Sequence, residues 1–150
     1  MQRLKGKIAV VTGASRNAGR GIALVLGEEG ATVYATGRSI RGEPTTDLPH
    51  TTIEDTAEQV TARGGVGIPV RCDHSVDAQV EALFERVKQE QGKLDILVNN
   101  AWGGYEQCDE TWGNPFWAQP FWRWERIFAV GLRSHMVSSY FAVPLGRTNP

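Results

Sequence analysis

Between Gly6 and Gly13 the chain carries an unbroken apolar run, Ile8-Ala9-Val10-Val11. A run this short, rich in branched residues and bounded by glycines, predicts a strand buried on both faces. The polar-apolar spacing then changes. From Gly19 to Glu29, Ile22, Ala23, Val25 and Leu26 recur at helical intervals, and Gly30 supplies the stop. Residues 31–36, ATVYAT, predict a second strand. Strand, glycine-rich turn, helix and strand within some thirty residues make a βαβ unit, whose crossover is expected to be right-handed.

The same alternation continues. Residues 37–50 read as loop, with Gly37, Gly42, Pro44 and Pro49 among threonines and charges. Thr51 and Glu54 have the spacing of a capping box for a helix reaching about Arg63, and Gly64-Gly65 ends it. Val66 to Arg71 predicts a third strand, which Pro69 assigns to a sheet edge. Ser75 is the expected cap of a third helix with an apolar stripe of Val76, Val80, Leu83, Phe84 and Val87, stopped at Gly92. Leu94 to Asn99 completes a fourth strand. Repeated β-α alternation predicts an α/β fold, a Rossmann-like doubly wound parallel sheet of about four strands with helices on both faces.

Beyond residue 101 the pattern changes. Residues 102–124 hold all five tryptophans together with Gly113, Pro115 and Pro120. A segment this apolar is no solvated linker and reads as a lid-like aromatic loop. A last helix is expected from Phe121 to Val143, with Trp124, Ile127, Phe128, Leu132 and Met136 at helical spacing and Pro144 and Gly146 closing it.

Composition narrows the function classes. At 150 residues, 41% hydrophobic and 22% charged, the chain has the make-up of one globular domain over 1–150. Sixteen basic and seventeen acidic side chains give a net charge of −1, without the basic excess of a nucleic-acid or anionic-membrane surface. No apolar stretch approaches the roughly 18 residues of a membrane span, and the Ile8–Val11 run is too short for a secretory signal. Cys72 and Cys108 make no disulfide framework. Together these point to the cytoplasm. Cys72, His74, Cys108, His50 and His135 lack zinc-like spacing, so no metal site is expected.

The candidate chemistry lies in the first strand–helix turn, Thr12-Gly13-Ala14-Ser15-Arg16-Asn17-Ala18-Gly19-Arg20-Gly21. Glycines here let the backbone turn sharply and let a pyrophosphate approach the helix N-terminus. A Walker loop is excluded, because no Gly-Lys-Ser/Thr follows. The turn resembles the cofactor turn of the short-chain dehydrogenase/reductase family, T-G-x-x-x-G-x-G. Thr12, Gly13 and Gly19 match it, and Asn17 stands at the middle glycine, where asparagine tolerates left-handed backbone. Gly13, Ser15, Arg16, Asn17 and Gly19 are therefore the expected cofactor-binding residues of the turn.

The other end of the βαβ unit bears on which dinucleotide is bound. Sites for NAD place an acid at the end of the second strand, whereas NADP sites use a nearby arginine. Thr36-Gly37-Arg38-Ser39 contains no acid, so Arg38, with Arg16 by resemblance, is expected to hold a 2′-phosphate, favouring NADP over NAD. The resemblance extends to Asn99-Asn100-Ala101-Trp102, where the family has N-N-A-G, and to Asp73 after the third strand. It implies that Asn99 and Asn100 stabilise the central sheet, that Ala101 lies near the adenosine side and that Asp73 meets the adenine amino group.

The family's reaction is hydride transfer between nicotinamide and a carbonyl or alcohol, with a Tyr assisted by a Lys four residues later, a Ser and a relay Asn. Lysine occurs only at Lys5, Lys7, Lys88 and Lys93, and Tyr34, Tyr105 and Tyr140 precede Arg38, Asp109 and Pro144 at that spacing. No catalytic residue is therefore assigned. Ser138-Ser139-Tyr140 matches the helix before the family's catalytic strand, and Gly131 stands at the relay position. The resemblance implies the cofactor-binding part of a larger NADP-dependent oxidoreductase, cut short, inactive alone, and acting on a small molecule if completed. The alternative is a noncatalytic dinucleotide-binding or interaction module. The last helix is a candidate surface for homo-oligomers.

Overall fold

The computed structural model describes residues 2–104 and 111–146. The first apolar run forms β1 (Ile8–Val11), buried throughout because neighbouring strands flank it on both sides. The remaining strands are β2 (Thr32–Gly37), β3 (Val66–Arg71) and β4 (Ile96–Val98), in the order β3-β2-β1-β4. Every pairing is parallel, with Val10 opposite both Tyr34 and Leu97. This is the expected α/β, Rossmann-like sheet. Pro69 lies opposite Ala35 on the outer strand β3, where its missing N–H deprives no further strand of a bond.

The period-two alternation of the strands divides the core in two. Ile8, Val10 and Tyr34 point to one face and pack with Val80, Leu83, Phe84 and Val87 of α3 (Asp77–Gln91) and Val137 and Ala142 of α5 (Ser134–Gly146). Ala9, Val11, Val33 and Ala35 point to the other, toward Ala23 of α1 (Asn17–Glu28) and Val60 of α2 (Ile53–Ala62). Small side chains dominate that second face and admit the helices closely.

The caps differ from expectation. The capping box uses Thr52 and Asp55, one residue along from Thr51 and Glu54. The expected pair is engaged elsewhere: the Thr51 hydroxyl donates to the Leu48 carbonyl, and Glu54 accepts from the Arg41 amide. Ser75 does not cap α3 either. Its hydroxyl donates to Asp73, and Val76 is the cap residue, 40% exposed and outside the apolar stripe.

The last helix starts at Phe121 as expected but has three parts: α4 (Phe121–Phe128), a π turn over Ala129–Arg133, and α5. Pro144 does not close it. The helix continues to Gly146, where the Leu145 carbonyl accepts from the Leu94 amide and holds the final turn beside β4. Within the Trp-rich segment, Phe116–Ala118 is a single 3-10 turn. Arg123, buried at the start of α4, places its guanidinium 4.8 Å from the Trp112 ring and 5.2 Å from that of Trp122. Tyr105 and Cys108 lie outside the described residues.

Candidate functional site

The carboxyl ends of the parallel strands and the N-terminus of α1 surround a cleft of about 270 Å³. In open α/β sheets this is the usual location of a ligand. Gly13, Ser15, Arg16, Asn17, Gly19, Arg38, Asp73 and Ala101 all line it. The exception among the expected residues is Asn99, whose Nδ2 leaves the cleft and donates to Ser139 Oγ on α5 at 3.0 Å.

Asn100, its neighbour, shapes the turn instead. Its Nδ2 donates to the Thr12 and Gly13 carbonyls at 2.9 Å each, while its own N–H and that of Ala101 both donate to Thr12 Oγ1. β4 and the glycine turn are thereby fastened together. The closeness requires glycine twice. A Cβ on Gly19 would stand 2.3 Å from the Gly13 carbonyl oxygen and 2.4 Å from Asn100 Nδ2. One on Gly13, already at φ +66°, would stand 2.8 Å from Ala101 Cα. Asn17 occupies the left-handed region at φ +50°, as its place at the middle glycine of the motif requires.

Asn17, Ala18 and Gly19 begin α1 and line the cleft. Amides in a helix's first turn have no carbonyl partner within the helix, and with the helix dipole they favour an anion. Positive charge borders the same space: Arg38 follows β2, and Arg16 Nη1 reaches Thr45 Oγ1 at 3.4 Å. No acidic residue stands beside Arg38 in the strand-end sequence Thr36-Gly37-Arg38-Ser39.

Asp73 sits opposite, its Oδ1 accepting from the Ser75 amide at 2.9 Å and the Ser75 hydroxyl at 2.6 Å. Burial pushes its carboxyl upward, but the Ser75 bonds, with the charges of Arg38 and Arg126, hold it below the usual aspartate range. It therefore presents a carboxylate. His74, beneath it, is almost wholly buried and is pushed down to about 4 by that burial. Cys72 is equally enclosed, and burial raises its thiol to about 12. An un-ionised thiol of this kind is a poor nucleophile.

Ser39, Thr45, Asn100, Trp102 and Val130 also line the cleft and were not anticipated as site residues. Asn100 was legible in the N-N-A motif, whereas Thr45 lies in a loop without a local signal. Of the tyrosines, Tyr34 is fully buried, its hydroxyl donating to Glu90 at 2.7 Å. Ser138, Ser139 and Tyr140 lie in α5, with Tyr140 exposed.

Comparison with known proteins agrees with this architecture. Residues 7–145 match the family described as short chain dehydrogenase. Dehydrogenase/reductase SDR family member 1 of Mus musculus is 44% identical over 149 residues, covering 96% of this chain and 44% of the relative. Its Homo sapiens counterpart is 42% identical over 143 residues, covering 95% and 42%. Among solved structures, a metagenomic short-chain oxidoreductase in complex with NADP superposes with a TM-score of 0.77 at 30% identity, covering 95% of this chain and 57% of that one. A 7α-hydroxysteroid dehydrogenase complexed with NADH and 7-oxo glycochenodeoxycholic acid gives 0.74 at 28%, covering 96% and 49%. The chain thus spans less than half the length of those curated relatives. With the family pattern matched from β1 into α5, this chain belongs to the short-chain dehydrogenase/reductase family.

Proposed function

We propose that these 150 residues form the dinucleotide-binding part of a short-chain oxidoreductase that takes NADP in preference to NAD and acts on a small carbonyl or alcohol. One observation carries the reading: the α1 N-terminus, the Gly13–Gly19 cradle under Asn100, and Arg38 converge on one cleft. A Cβ on either glycine would collide with Gly13, Asn100 or Ala101, so the two glycines hold the turn tight against the residues after β4 and leave the α1 N-terminus on the cleft, which fits a close-lying pyrophosphate. Gly13, Ser15, Asn17 and Gly19 would lie along the phosphates, Arg38 and Arg16 beside a 2′-phosphate, and Asp73 beside the adenosine, with Ala101 packed against Gly13 between the two halves. When bound, the nicotinamide supplies hydride chemistry; the residues here bind and orient it.

No proton-transfer role is assigned within these 150 residues, because Tyr34, Tyr105 and Tyr140 all lack a lysine four positions on. The 150-residue protein is then expected to bind the cofactor without turning over, and cofactor-dependent carbonyl reduction by the pure chain would overturn that assignment. The Trp-rich segment is the proposed lid. The cytoplasm is the proposed compartment, in keeping with the free, buried Cys72.

Titration calorimetry with NADP and NAD tests the cofactor reading. Binding of NADP at least about tenfold tighter than NAD is expected from one to two charge-assisted bonds. Equal affinities would reject the preference, and no binding of either at millimolar concentration would reject the site. The alternative, an interaction module using exposed Phe116 and Trp117, would be favoured by that last outcome.

A further inference from the structure

On the β4 side of the cleft, across β1 from the strands that Arg38 and Asp73 follow, the wall carries an aromatic side chain. Trp102 follows Ala101 directly, and its flanking residues Ala101 and Gly103 are buried. Trp102 itself is 39% exposed and lines the cleft together with Val130.

Its position is set from behind. A Cβ on Gly131 would stand 2.8 Å from Trp102 Cδ1 and 3.2 Å from Nε1, and a Cβ on Gly104 would stand 3.2 Å from Cη2. Gly131 lies in the π turn, where the extra residue widens the helix and puts Val130 at the cleft wall. A Cβ on Gly103 would in turn meet Val130 Cβ at 2.9 Å. Three glycines therefore admit the segment carrying the indole against the π turn. The ring also occupies the space through which any side chain at 131 would project. Such a pre-placed aromatic face needs little ordering when a planar group docks on it.

We infer that Trp102 is a ligand-contact residue whose indole forms the stacking wall for the nicotinamide half of the dinucleotide. The inference rests on the cofactor reading above. Arg38 and Ser39 follow β2 and Asp73 follows β3, on the other side of β1, with the Thr45 amide donating to Ser39 Oγ; all four line the cleft and suit the phosphorylated adenosine half. With the phosphates over the α1 N-terminus between them, the remaining planar group falls to the Trp102 end. Stacking of a base on an aromatic side chain is strong enough to change affinity about tenfold.

Two ligands separate this inference from the reading beneath it. NADP contains both halves; adenosine 2′,5′-bisphosphate contains only the adenosine half. Calorimetry on the wild-type chain, Trp102→Leu and Trp102→Phe is expected to show about a tenfold loss of NADP affinity in the leucine variant. Its bisphosphate affinity should stay within about twofold of wild type, which also reports an intact fold, and phenylalanine should restore most of the loss. Unchanged NADP binding in Trp102→Leu, or an equal loss for both ligands, would overturn the inference while leaving the cofactor site standing. Failure of the wild-type chain to bind either ligand would overturn both.

Discussion

His74 Nε2 and Thr36 Oγ1 meet at 2.8 Å on the buried floor of the cleft. The Thr36 hydroxyl donates to the Val11 carbonyl at 3.2 Å, so it accepts from a protonated Nε2. Nδ1 then faces Cys72 Sγ at 3.9 Å as an acceptor. One neutral imidazole thus connects the ends of β1 and β2 with the residue that follows β3.

This arrangement predicts an acid-sensitive fold. Burial lowers His74 to about 4; Asp73 opposes the shift, while His135 and Arg38 add to it. In the unfolded chain histidine titrates near 6.5. As pH falls below about 6.5, the unfolded chain takes up a proton that the native site excludes, so stability declines until the native imidazole also protonates near 4. The loss is expected to reach about 3 kcal/mol at most. Urea unfolding of wild type and His74→Gln from pH 7 to 4 measures it: the variant should start less stable and show a shallower decline. Parallel curves would refute the assignment.

The glycine turn predicts an asymmetry between positions 17 and 19. Gly19→Ala forces a methyl to within 2.3 Å of the Gly13 carbonyl oxygen, and a loss of about 1–3 kcal/mol in stability is expected, with weakened dinucleotide binding. Asn17→Gly should be nearly neutral, since glycine adopts φ +50° freely, whereas Asn17→Ala should cost about 1 kcal/mol. Denaturant midpoints for the three variants rank them. An alanine tolerated equally at 17 and 19 would show that the turn is built differently.

The α4–π–α5 rod exposes Phe121, Trp124, Phe128, Leu132, Met136, Tyr140 and Val143 in a repeating three- or four-residue step. An apolar stripe of this length favours self-association. The 150-residue chain is expected to sediment with an average mass that rises with concentration, and Trp124→Glu with Met136→Glu should hold it monomeric. A wild-type chain that stays monomeric across the micromolar range would argue against self-association along this face.

Which parts were readable in advance follows from where the constraint acts. β1 and β2 fall within a residue of expectation because their side chains must satisfy two buried faces at once, whereas the half-exposed edge strand β3 is marked by the Gly64-Gly65 break before it. The cap of α2 lies one residue beyond the expected one because TTIED contains two overlapping box patterns, and only the distant Leu48 and Arg41 contacts decide between them. A π turn adds a single residue to a helix and barely disturbs its apolar spacing, so Ala129–Arg133 was invisible in the pattern. The cleft residues of the glycine turn were legible because close backbone approach demands particular residue types. Thr36 with His74, and Trp102 over Gly131, depend on segments brought together by the sheet, and neither pair shares a local pattern.

On the proposed NADP reading, Arg38 is the residue expected to separate the two dinucleotides most sharply. It follows β2 at the cleft rim, facing Asp73 closely enough to help hold that carboxylate ionised. A 2′-phosphate placed there would gain a charge-assisted bond worth roughly 1.5–3 kcal/mol. A 2′-hydroxyl would gain much less. Arg38→Leu is therefore expected to weaken NADP binding about tenfold to a hundredfold and leave NAD nearly unchanged. Arg38→Asp should reverse the preference, since a carboxylate accepts from the ribose hydroxyls and repels the phosphate. The wild-type preference should also shrink as salt rises, and the leucine variant should lose that dependence. If Arg38→Leu weakens both cofactors alike, the side chain supports the cleft wall and does not read the 2′ position.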